Sequence, residues 1–567
     1  MKKSVILTAV ILIPAVLSGC AGDHDVTTSA DTQINGTTAE QTFDTETEYV
    51  TETEYVTETE PAKIDLKETD AQLDVWYNHA FNKTAVNIKP AELQSAGTKD
   101  YTVYMAKNEY ENAQLYMYAP AGIKGISVEL SGIIDRDGNS LQTDIYRVYS
   151  VPYSDGCNYP DIMVPMNEKI DTIDIKKKNS QVIIVRIRTE KDTKPGDYSG
   201  DLIVKQYGEP VRVCPLNCHV WNFEIPDTPS SKSAMGIWDQ IKNYGNDTVY
   251  NDLYKSYYDF VIDYRISPYY LPYDVTESQA DAYMSDPRVT SFIVPQTMAV
   301  YNKLNKNDDW ISKAYFYAVD EPSDKAALDK LAAVYGRTKK NYPMIRTIAP
   351  FYVSAVYDEN TDGIDFMRDY IDIWCPVAAG FTEGGVANGK DIVSIYPTEE
   401  AAQKYPWLSE RMAEVTKESG ELWWYVCSYP TIKKYCNLMI DYTGLQNRVL
   451  FWQQKQYNAT GFLYWACTYW NEDPWSSRGF NRDGSLLAYG KEELGYTGPC
   501  STLRFEAVRD GLDDYDMLCM CEKLCGADKM NEILNKVTTN ILEYTDSDAV
   551  FAAARIELGS AVESAQQ

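Results

Sequence analysis

Histidine is nearly absent from this chain of 567 residues, which contains only His24, His79 and His219. A catalytic centre formed by residues after 219 therefore has no imidazole to serve as a base, a proton donor or a zinc ligand. This absence excludes Ser-His-Asp hydrolysis, Cys-His proteolysis and His-ligated zinc from the C-terminal part. Proton transfer there must rely mainly on Asp, Glu, Tyr, Lys or Arg side chains.

Basic residues are also scarce, because 53 Lys and Arg face 83 Asp and Glu and leave a net charge of −30. A protein of this charge repels the phosphate backbone, so we expect no nucleic-acid partner. Residues 21–60 carry eleven acids without one Lys or Arg, and the hexapeptide TETEYV occurs twice in a row at 45–56. Such a segment extends by self-repulsion and has little to bury, which predicts a disordered acidic tether over 21–69.

The N-terminus, "MKKSVILTAVILIPAVLSGCAG", has an apolar stretch too short for a comfortable membrane span. Two lysines precede this stretch, and Leu17-Ser18-Gly19-Cys20 follows it. The pattern resembles a bacterial lipoprotein signal peptide over 1–20, with Cys20 as the lipidated residue. It predicts an extracytoplasmic protein tethered to the cell membrane, since acyl chains on Cys20 would hold it there. The alternative is an ordinary secretory signal with a chance cysteine.

Eleven cysteines remain after Cys20, and no zinc-like spacing accompanies the cluster at Cys519, Cys521 and Cys525. We interpret that cluster as free thiols on a helix, and a single disulfide between Cys214 and Cys218 stays open. No metal site and no cofactor are predicted. The sequence leaves the oligomeric state unknown.

Residues 70–230 alternate strand-length apolar runs with turn signals such as Asp137-Gly138 and Pro195-Gly196-Asp197. In the run "QVIIVRIR", Ile183, Val185 and Ile187 share one face and Arg186 lies on the other, although Ile184 breaks the alternation. This pattern predicts an N-terminal β-sandwich.

Residues 231–500 alternate eight short apolar runs with helical stretches, which predicts a (β/α)8 TIM-type barrel. An open parallel sheet is the alternative. Residues 501–567 read as a helical C-terminal segment. The eight runs begin with "AMGIWD" (234–239), "RISPYYLP" (265–272), "VTSFIVPQ" (289–296) and "AYFYAVDE" (314–321), and continue with "IRTIAP" (345–350), "DIWCPVA" (372–378), "LWWYVCSY" (422–429) and "GFLYWACTYW" (461–470).

The fourth run ends in two adjacent acids, Asp320 and Glu321, followed by Pro322. Barrel enzymes place catalysis at the C-terminal ends of the strands, and burying two neighbouring charges without a purpose is costly. Pro322 disfavours helical geometry at Glu321, so the chain can turn there and direct both side chains to one opening. We therefore interpret the pair as catalytic rather than as a charged surface turn.

Two acids in different surroundings can divide the work of glycoside cleavage between a proton donor and a stabilising carboxylate. Two consecutive residues approach the bond from one side, which suits a mechanism in which a 2-acetamido oxygen of the substrate attacks the anomeric carbon. Aromatic residues near the strand ends are candidates for sugar stacking, and the remaining ones for barrel packing. The predicted substrate-binding residues are Trp374, Tyr425, Trp465, Trp470 and Trp475.

Several segments resemble glycoside hydrolase family 123 and its wider relatives over roughly residues 75–520. They include "YFYAVDEP", "GFLYWACTYWNEDPW", "STLRFEAVRDGLDDYDML" and, upstream, "AKNEYENAQLYM". The resemblance implies a β-N-acetylgalactosaminidase that acts by substrate-assisted, configuration-retaining hydrolysis of a glycan. It implies Glu321 as the general acid/base and Asp320 as the residue that orients the acetamido group. We interpret Arg504, Arg509 and Asp510 as structural pairs.

Two other functions stay open. A glycosidase for a sugar without an acetamido group would need a further carboxylate on another strand, such as Asp239 or Glu472. A surface glycan-binding lipoprotein without turnover would use the same tether, sandwich and aromatic residues.

Overall fold

The computed structural model of the protein describes residues 64–88, 99–238, 251–352, 354–382, 404, 407–470, 473–476 and 481–566. The strands of the N-terminal part are β1 Asp74–Asn78, β2 Tyr101–Lys107, β3 Tyr110–Ala119, β4 Ile123–Leu130, β5 Gln142–Pro152, β6 Asn158–Pro165, β7 Ile173–Ile175, β8 Asn179–Arg188, β9 Gly196–Gln206 and β10 Glu209–Glu224. Those that follow are β11 Lys232–Met235, β12 Phe292–Ile293, β13 Ala314–Tyr317, β14 Arg346–Phe351, β15 Ile373–Pro376, β16 Glu421–Val426, β17 Gly461–Tyr464, β18 Ala488–Lys491 and β19 Tyr496–Cys500.

The α-helices follow the same order along the chain. They are α1 Asp252–Asp263, α2 Ala280–Ser285, α3 Met298–Leu304, α4 Asp308–Lys313, α5 Lys325–Asn341, α6 Gly363–Met367, α7 Leu408–Ser419, α8 Gly444–Gln456, α9 Asn481–Gly484, α10 Leu503–Cys525, α11 Ala527–Leu534 and α12 Asp548–Gln566. Short 3-10 helices lie at Ala378–Phe381, Pro474–Ser476 and Glu492–Leu494.

Strands β1 to β10 form two five-stranded sheets in the part of the chain that the structure describes. Their orders are β1-β3-β8-β5-β6 and β2-β10-β9-β4-β7, and the neighbouring strands are antiparallel except for β2 and β10. Aliphatic side chains of both sheets, such as Leu115, Ile183 and Leu202, meet in one core between them. This arrangement is consistent with the predicted β-sandwich.

The broken alternation in β8 has a structural reason. Ile183, Val185 and Ile187 face the sandwich core, as predicted. Ile184 lies on the opposite face, in a second buried cluster that includes Tyr116. Because later parts of the chain cover this face too, it carries apolar residues that a half-exposed strand would not have.

Seven parallel strands form the barrel in the order β11-β17-β16-β15-β14-β13-β12, counted among the described residues. The backbone of Ser267 to Tyr269 lies between the two end strands. The N–H of Met235 donates to the carbonyl of Ser267 at 2.9 Å, and the N–H of Tyr269 donates to the carbonyl of Met235 at 2.9 Å. On the other side, Ile293 donates to the carbonyl of Tyr269 at 2.7 Å.

All eight predicted runs therefore contribute to the barrel, but the second run contributes only an isolated bridge. The predicted barrel is confirmed in part, as a nearly closed parallel barrel of seven strands among the described residues, and its exact (β/α)8 form is not confirmed. The predicted domain boundaries stay predictions, while Leu66–Gln567 forms one compact unit.

Helix α10 is buried along most of its length, although it carries many charges. Arg504 donates to Asp161 of β6 at 2.7 Å, and Arg509 pairs with Glu506 at 2.8 Å and with Asp510 at 2.6 Å. These contacts agree with the interpretation of the arginines as structural pairs.

The eleven cysteines after Cys20 are free thiols, including Cys214 and Cys218. Among the described helices, none is long and apolar enough to cross a membrane.

Candidate active site at the barrel rim

Helix α5 fixes the end of strand β13. Tyr335 of this helix is fully buried, and its hydroxyl accepts hydrogen bonds from the N–H groups of Ala318 and Val319, both at 3.1 Å. The same hydroxyl donates to the carbonyl of Ile348 in β14 at 2.6 Å. The two residues that lead into the acid pair are thereby held at the rim without strand pairing of their own.

The chain turns sharply at Glu321. Its φ of +41° lies in the left-handed region, which is uncommon for a residue other than glycine. Its N–H donates to the carbonyl of Pro350 at 3.0 Å, which ties this conformation to the end of β14. Backbone strain of this kind, about 1–3 kcal/mol, persists where the surroundings enforce it and is concentrated at functional sites.

Asp320 accepts a hydrogen bond from the hydroxyl of Tyr317, on its own strand, at 2.6 Å. Burial raises the pKa of Asp320, and the hydrogen bond from Tyr317 opposes this increase. Tyr317 is itself packed edge-on against Tyr269, with ring centroids 6.3 Å apart. The carboxyl of Asp320 therefore lies on the side of the rim formed by β13 and the bridge segment.

Glu321 accepts a hydrogen bond from Tyr425, which lies on β16 and is three strands away in the barrel. Burial raises the pKa of Glu321, the bond from Tyr425 lowers it, and the neighbouring charge of Asp320 raises it further. Both acids are nevertheless exposed to solvent. They are crowded by protein atoms and yet accessible, as expected for groups that exchange protons with a ligand.

The profile described as "Glycoside hydrolase 123, catalytic domain" matches residues 357–521. The resemblance to glycoside hydrolase family 123 is confirmed. The matched range includes Tyr425 and begins after the acid pair at 320–321. The match supports a glycoside hydrolase with a glycan as its substrate.

A family 123 glycoside hydrolase from Clostridium perfringens, studied for glycolipid glycan hydrolysis, has a similar fold at 12% sequence identity. The comparison covers 87% of this chain and 97% of that one, with a TM-score of 0.61. A family 39 glycoside hydrolase from Bacteroides cellulosilyticus WH2 is 13% identical over 73% of this chain and 81% of its own, with a TM-score of 0.32. No curated protein matches the chain.

The five aromatic residues predicted to bind substrate occupy different environments in this chain. Tyr425 contacts Glu321 through its hydroxyl, and Trp465 is half-buried one residue beyond the end of β17. Trp475 is also half-buried and packs edge-on against Tyr149 of the sandwich, with centroids 5.5 Å apart. Tyr425 is only 3% exposed, so its ring face is not open to a sugar and its assignment to sugar stacking is corrected. The assignment of Trp465 and Trp475 to sugar binding stays a prediction.

Trp374 and Trp470 require a correction. Trp374 is 1% exposed and Trp470 is 6% exposed, so neither presents a ring face to a sugar. Trp374 packs against Phe351 inside the barrel, and the indole N–H of Trp470 donates to the carbonyl of Leu487 at 2.9 Å. Strand-end position alone did not distinguish rings that face the rim from rings that fill the core.

Other rim residues were missed by the sequence reasoning. Tyr429 follows β16 and is 63% exposed, and Tyr352 follows β14. Burial raises the pKa of Tyr352, and the negative charges of Cys427 and Glu321 raise it further. Asp483 lies on the short helix α9 and does not follow any predicted strand in the sequence. In the structure it nevertheless lies between the ends of β16 and β17. For the two tyrosines, the signal was their position just after predicted strands.

A cavity of about 810 Å³ lies elsewhere, between residues 79–88, the start of α8 and the start of α12. Burial lowers the pKa of its Lys83 to about 7, and the amine donates to the carbonyl of Met439 at 3.2 Å. Neither acid of the rim lines this cavity.

Within the described ranges, no group of three His, Cys, Asp or Glu residues is arranged to hold a metal ion. Cys20, Asp239 and Glu472 lie outside the described residues.

Proposed function

We propose that this protein hydrolyses β-linked N-acetylhexosamine, N-acetylgalactosamine in particular, with retention of configuration. The observation that carries the proposal is the arrangement of Asp320 and Glu321. They are adjacent at one strand end, and each accepts a hydrogen bond from a different tyrosine. Two carboxyls on one side of the scissile bond leave the opposite face without an enzyme nucleophile from this pair. The acetamido group of the substrate supplies that nucleophile.

In the first step, the acetamido oxygen forms a bond to the anomeric carbon while the bond to the leaving oxygen breaks. Glu321 gives its proton to the leaving oxygen, and Asp320 holds the acetamido N–H as positive charge develops on the group. In the second step, Glu321 takes a proton from water, and the water oxygen replaces the acetamido oxygen at the anomeric carbon. Two inversions give net retention.

The surroundings of the two carboxyls favour these roles. The hydrogen bond from Tyr317 favours the ionised form of Asp320. The negative charge of Asp320 in turn favours a protonated Glu321. A protonated acid beside an ionised one is the combination that the first step requires.

The proposed substrate is a glycan outside the cytoplasm. The Clostridium relative studied for glycolipid glycan hydrolysis supports a related glycan. The lipoprotein signal over 1–20 and the tether over 21–69 support attachment to the cell membrane through Cys20. Globomycin treatment of expressing cells, which blocks lipoprotein processing, is expected to retain the precursor, and normal release of the mature protein would contradict the anchor.

A series of aryl β-N-acylgalactosaminides tests the proposed mechanism. The substrates differ only in the N-acyl group, from acetyl through fluoroacetyl to trifluoroacetyl, and fluorine makes the acyl oxygen a poorer nucleophile. We expect kcat/KM to fall steeply along the series, because that oxygen forms the new bond. The matched aryl β-galactoside should be inert. A flat series, or faster cleavage of the galactoside, would support carboxylates on separate strands instead.

A further inference from the structure

Asp483 joins the ends of two barrel strands. It is 2% exposed, and one of its carboxylate oxygens, Oδ2, accepts two hydrogen bonds. The hydroxyl of Ser428, two residues beyond β16, donates at 3.0 Å, and the indole N–H of Trp465, one residue beyond β17, donates at 2.9 Å. A single buried oxygen therefore fixes the two loops relative to each other.

The helix that carries Asp483 is itself held firmly. The hydroxyl of Tyr464 donates to the carbonyl of Asp483 at 2.9 Å. Next to it, Arg482 makes two bonds of 2.5 Å to the carboxylate of Asp441, and Arg504 donates to the carbonyl of Arg482 at 3.0 Å. The carboxylate thus has a fixed position from which it can orient its two donors.

Gly484 shows how closely the indole of Trp465 approaches this helix. A Cβ atom at position 484 would lie 2.8 Å from two atoms of the Trp465 ring and 3.1 Å from the Cβ of Tyr469. Real Cβ atoms do not make contacts of 2.8 Å, so any larger residue would displace the ring. The position of the indole is therefore fixed by the hydrogen bond from its N–H to Asp483 and by the close approach of its six-membered ring to Gly484.

The loop after β16 connects Asp483 to the acids of the rim. Cys427 directly follows β16 and is half-buried. Burial raises the pKa of its thiol, and the negative charges of Glu321 and Asp483 raise it further. The loop held by Ser428 also follows Tyr425, the residue that donates to Glu321. The chain from Tyr425 to Ser428 therefore connects Asp483 with the acid that protonates the leaving group.

We propose that Asp483 is a positioning residue for substrate recognition, which holds the indole of Trp465 and the loop at Ser428 in the orientation that receives the sugar. This inference rests on the proposed function. Asp483 is buried and contacts Trp465 and Ser428, so the proposed role acts through these two residues. Burial raises its pKa, while the donors Trp465 and Ser428 oppose that increase. An unpaired polar group at this depth would be costly, so the two donors and the acid depend on each other.

Three variants test the proposal kinetically. Asp483→Asn keeps an oxygen acceptor, Asp483→Leu removes it, and Gly484→Ala displaces the ring while leaving the acid intact. We expect KM to rise about tenfold in Asp483→Leu and in Gly484→Ala, as for the loss of one ordered aromatic contact, with a much smaller rise in Asp483→Asn. The pH profile of kcat should stay unchanged in all three.

Two outcomes would overturn the proposal. If Asp483→Asn loses as much kcat as Glu321→Gln, then the carboxylate takes part in the chemistry and the enzyme resembles a glycosidase with acids on separate strands. If Asp483→Leu folds and retains the wild-type KM, then Asp483 positions nothing that the substrate uses.

A spectroscopic measurement separates this inference from the proposed function. The indole N–H resonance of Trp465, assigned by its loss in Trp465→Phe, should move upfield in Asp483→Leu and little in Asp483→Asn. This result in an enzyme that cleaves no hexosaminide would retain the positioning geometry and reject the proposed function. An unmoved resonance in Asp483→Leu would reject the positioning geometry.

Discussion

At the scale of single residues, the two acids differ in the tyrosine that each contacts. Asp320 depends on Tyr317 of its own strand, whereas Glu321 depends on Tyr425 from across the barrel. Burial raises the pKa of both carboxyls, so the hydrogen bonds and the mutual repulsion decide which one keeps the proton. In the proposed mechanism Glu321 keeps the proton, and activity then requires ionised Asp320 together with protonated Glu321.

Tyr425→Phe tests this division of labour. The phenol stabilises ionised Glu321, so its removal raises the pKa of that acid. Because activity is lost at high pH when Glu321 loses its proton, the alkaline limb of kcat against pH should move upward by about one unit. Tyr442→Phe is the control, since this buried hydroxyl has no hydrogen-bond partner among the described residues. A downward shift of the limb in Tyr425→Phe would contradict the assignment.

The residues of the site were predictable to different degrees. Asp320 and Glu321 stood out because a core-type strand ended in charge, which is a local pattern. Trp374 was assigned to the rim although it lies in the core, because a strand position does not reveal which way its ring points. Asp483 could not be found, since its role arises from contacts with two loops that are distant from it in the sequence.

At the scale of elements, α5 is the support of the acid pair. The hydroxyl of Tyr335 bonds to two N–H groups before the acids and to a carbonyl of β14. Leu328, Leu331, Ala332 and Tyr335 recur at helical spacing in the sequence, which predicts that they share one helical face. In the structure Ala332 is half-buried and the other three are buried. It did not predict that one hydroxyl replaces the strand pairing that β13 lacks at its end.

Tyr335→Phe should weaken this support. The change leaves the N–H groups of Ala318 and of buried Val319 without their acceptor, which costs about 1–3 kcal/mol of unfolding free energy. The acids should also shift, and a displacement of about 1 Å can lower the rate by about 100-fold. Urea unfolding and kcat measure the two effects, again with Tyr442→Phe as the control. Lowered stability with unchanged kcat would show that the acids keep their place without the hydroxyl.

Element boundaries were predicted less well than element order. All eight apolar runs are at the barrel, yet the run at 265–272 forms a bridge instead of a strand. Its backbone bonds to Met235 and Ile293 only at Ser267 and Tyr269, with Pro268 between them. Proline has no N–H to donate, which limits pairing at this point. Apolar character therefore predicted the place of the segment but not its pairing.

At the scale of the whole molecule, buried ion pairs connect the sandwich to the C-terminal helices. Arg448 of α8 pairs with Glu111 of β3 at 2.7 Å and with Asp514 of α10 at 2.7 Å. Arg186 of β8 pairs with Glu506 of α10 at 2.5 Å. Charges in the sequence of α10 gave no reason to expect a buried helix, because partners such as Asp161 of β6 and Arg186 of β8 lie more than 300 residues away in the chain.

Glu506→Gln tests this connection. Burial alone would raise the pKa of Glu506, but Arg186 and Arg509 outweigh it and lower the pKa from 4.5 to about 2. The ionised form therefore stabilises the fold above pH 4.5, and this contribution disappears as the pH falls toward 2. Near neutral pH the variant should lose about 3–5 kcal/mol of unfolding free energy.

Urea unfolding at neutral pH and near pH 3 measures the difference between wild type and variant. That difference should shrink at the lower pH, whereas the exposed control Glu493→Gln should show almost none at either pH. An equal loss at both pH values would mean that the charge of Glu506 is not what stabilises the junction.

The role of Glu321 as the acid that protonates the leaving oxygen is tested most directly by one comparison of rates. The full chain and its Glu321→Gln variant are given two aryl β-N-acetylgalactosaminides, one with a phenol leaving group and one with 2,4-dinitrophenol. A poor leaving group needs a proton and a good one does not, so the variant should lose about 10²–10⁴-fold in kcat/KM on the first substrate and far less on the second. Equal losses on both substrates, or no loss on either, would contradict the account.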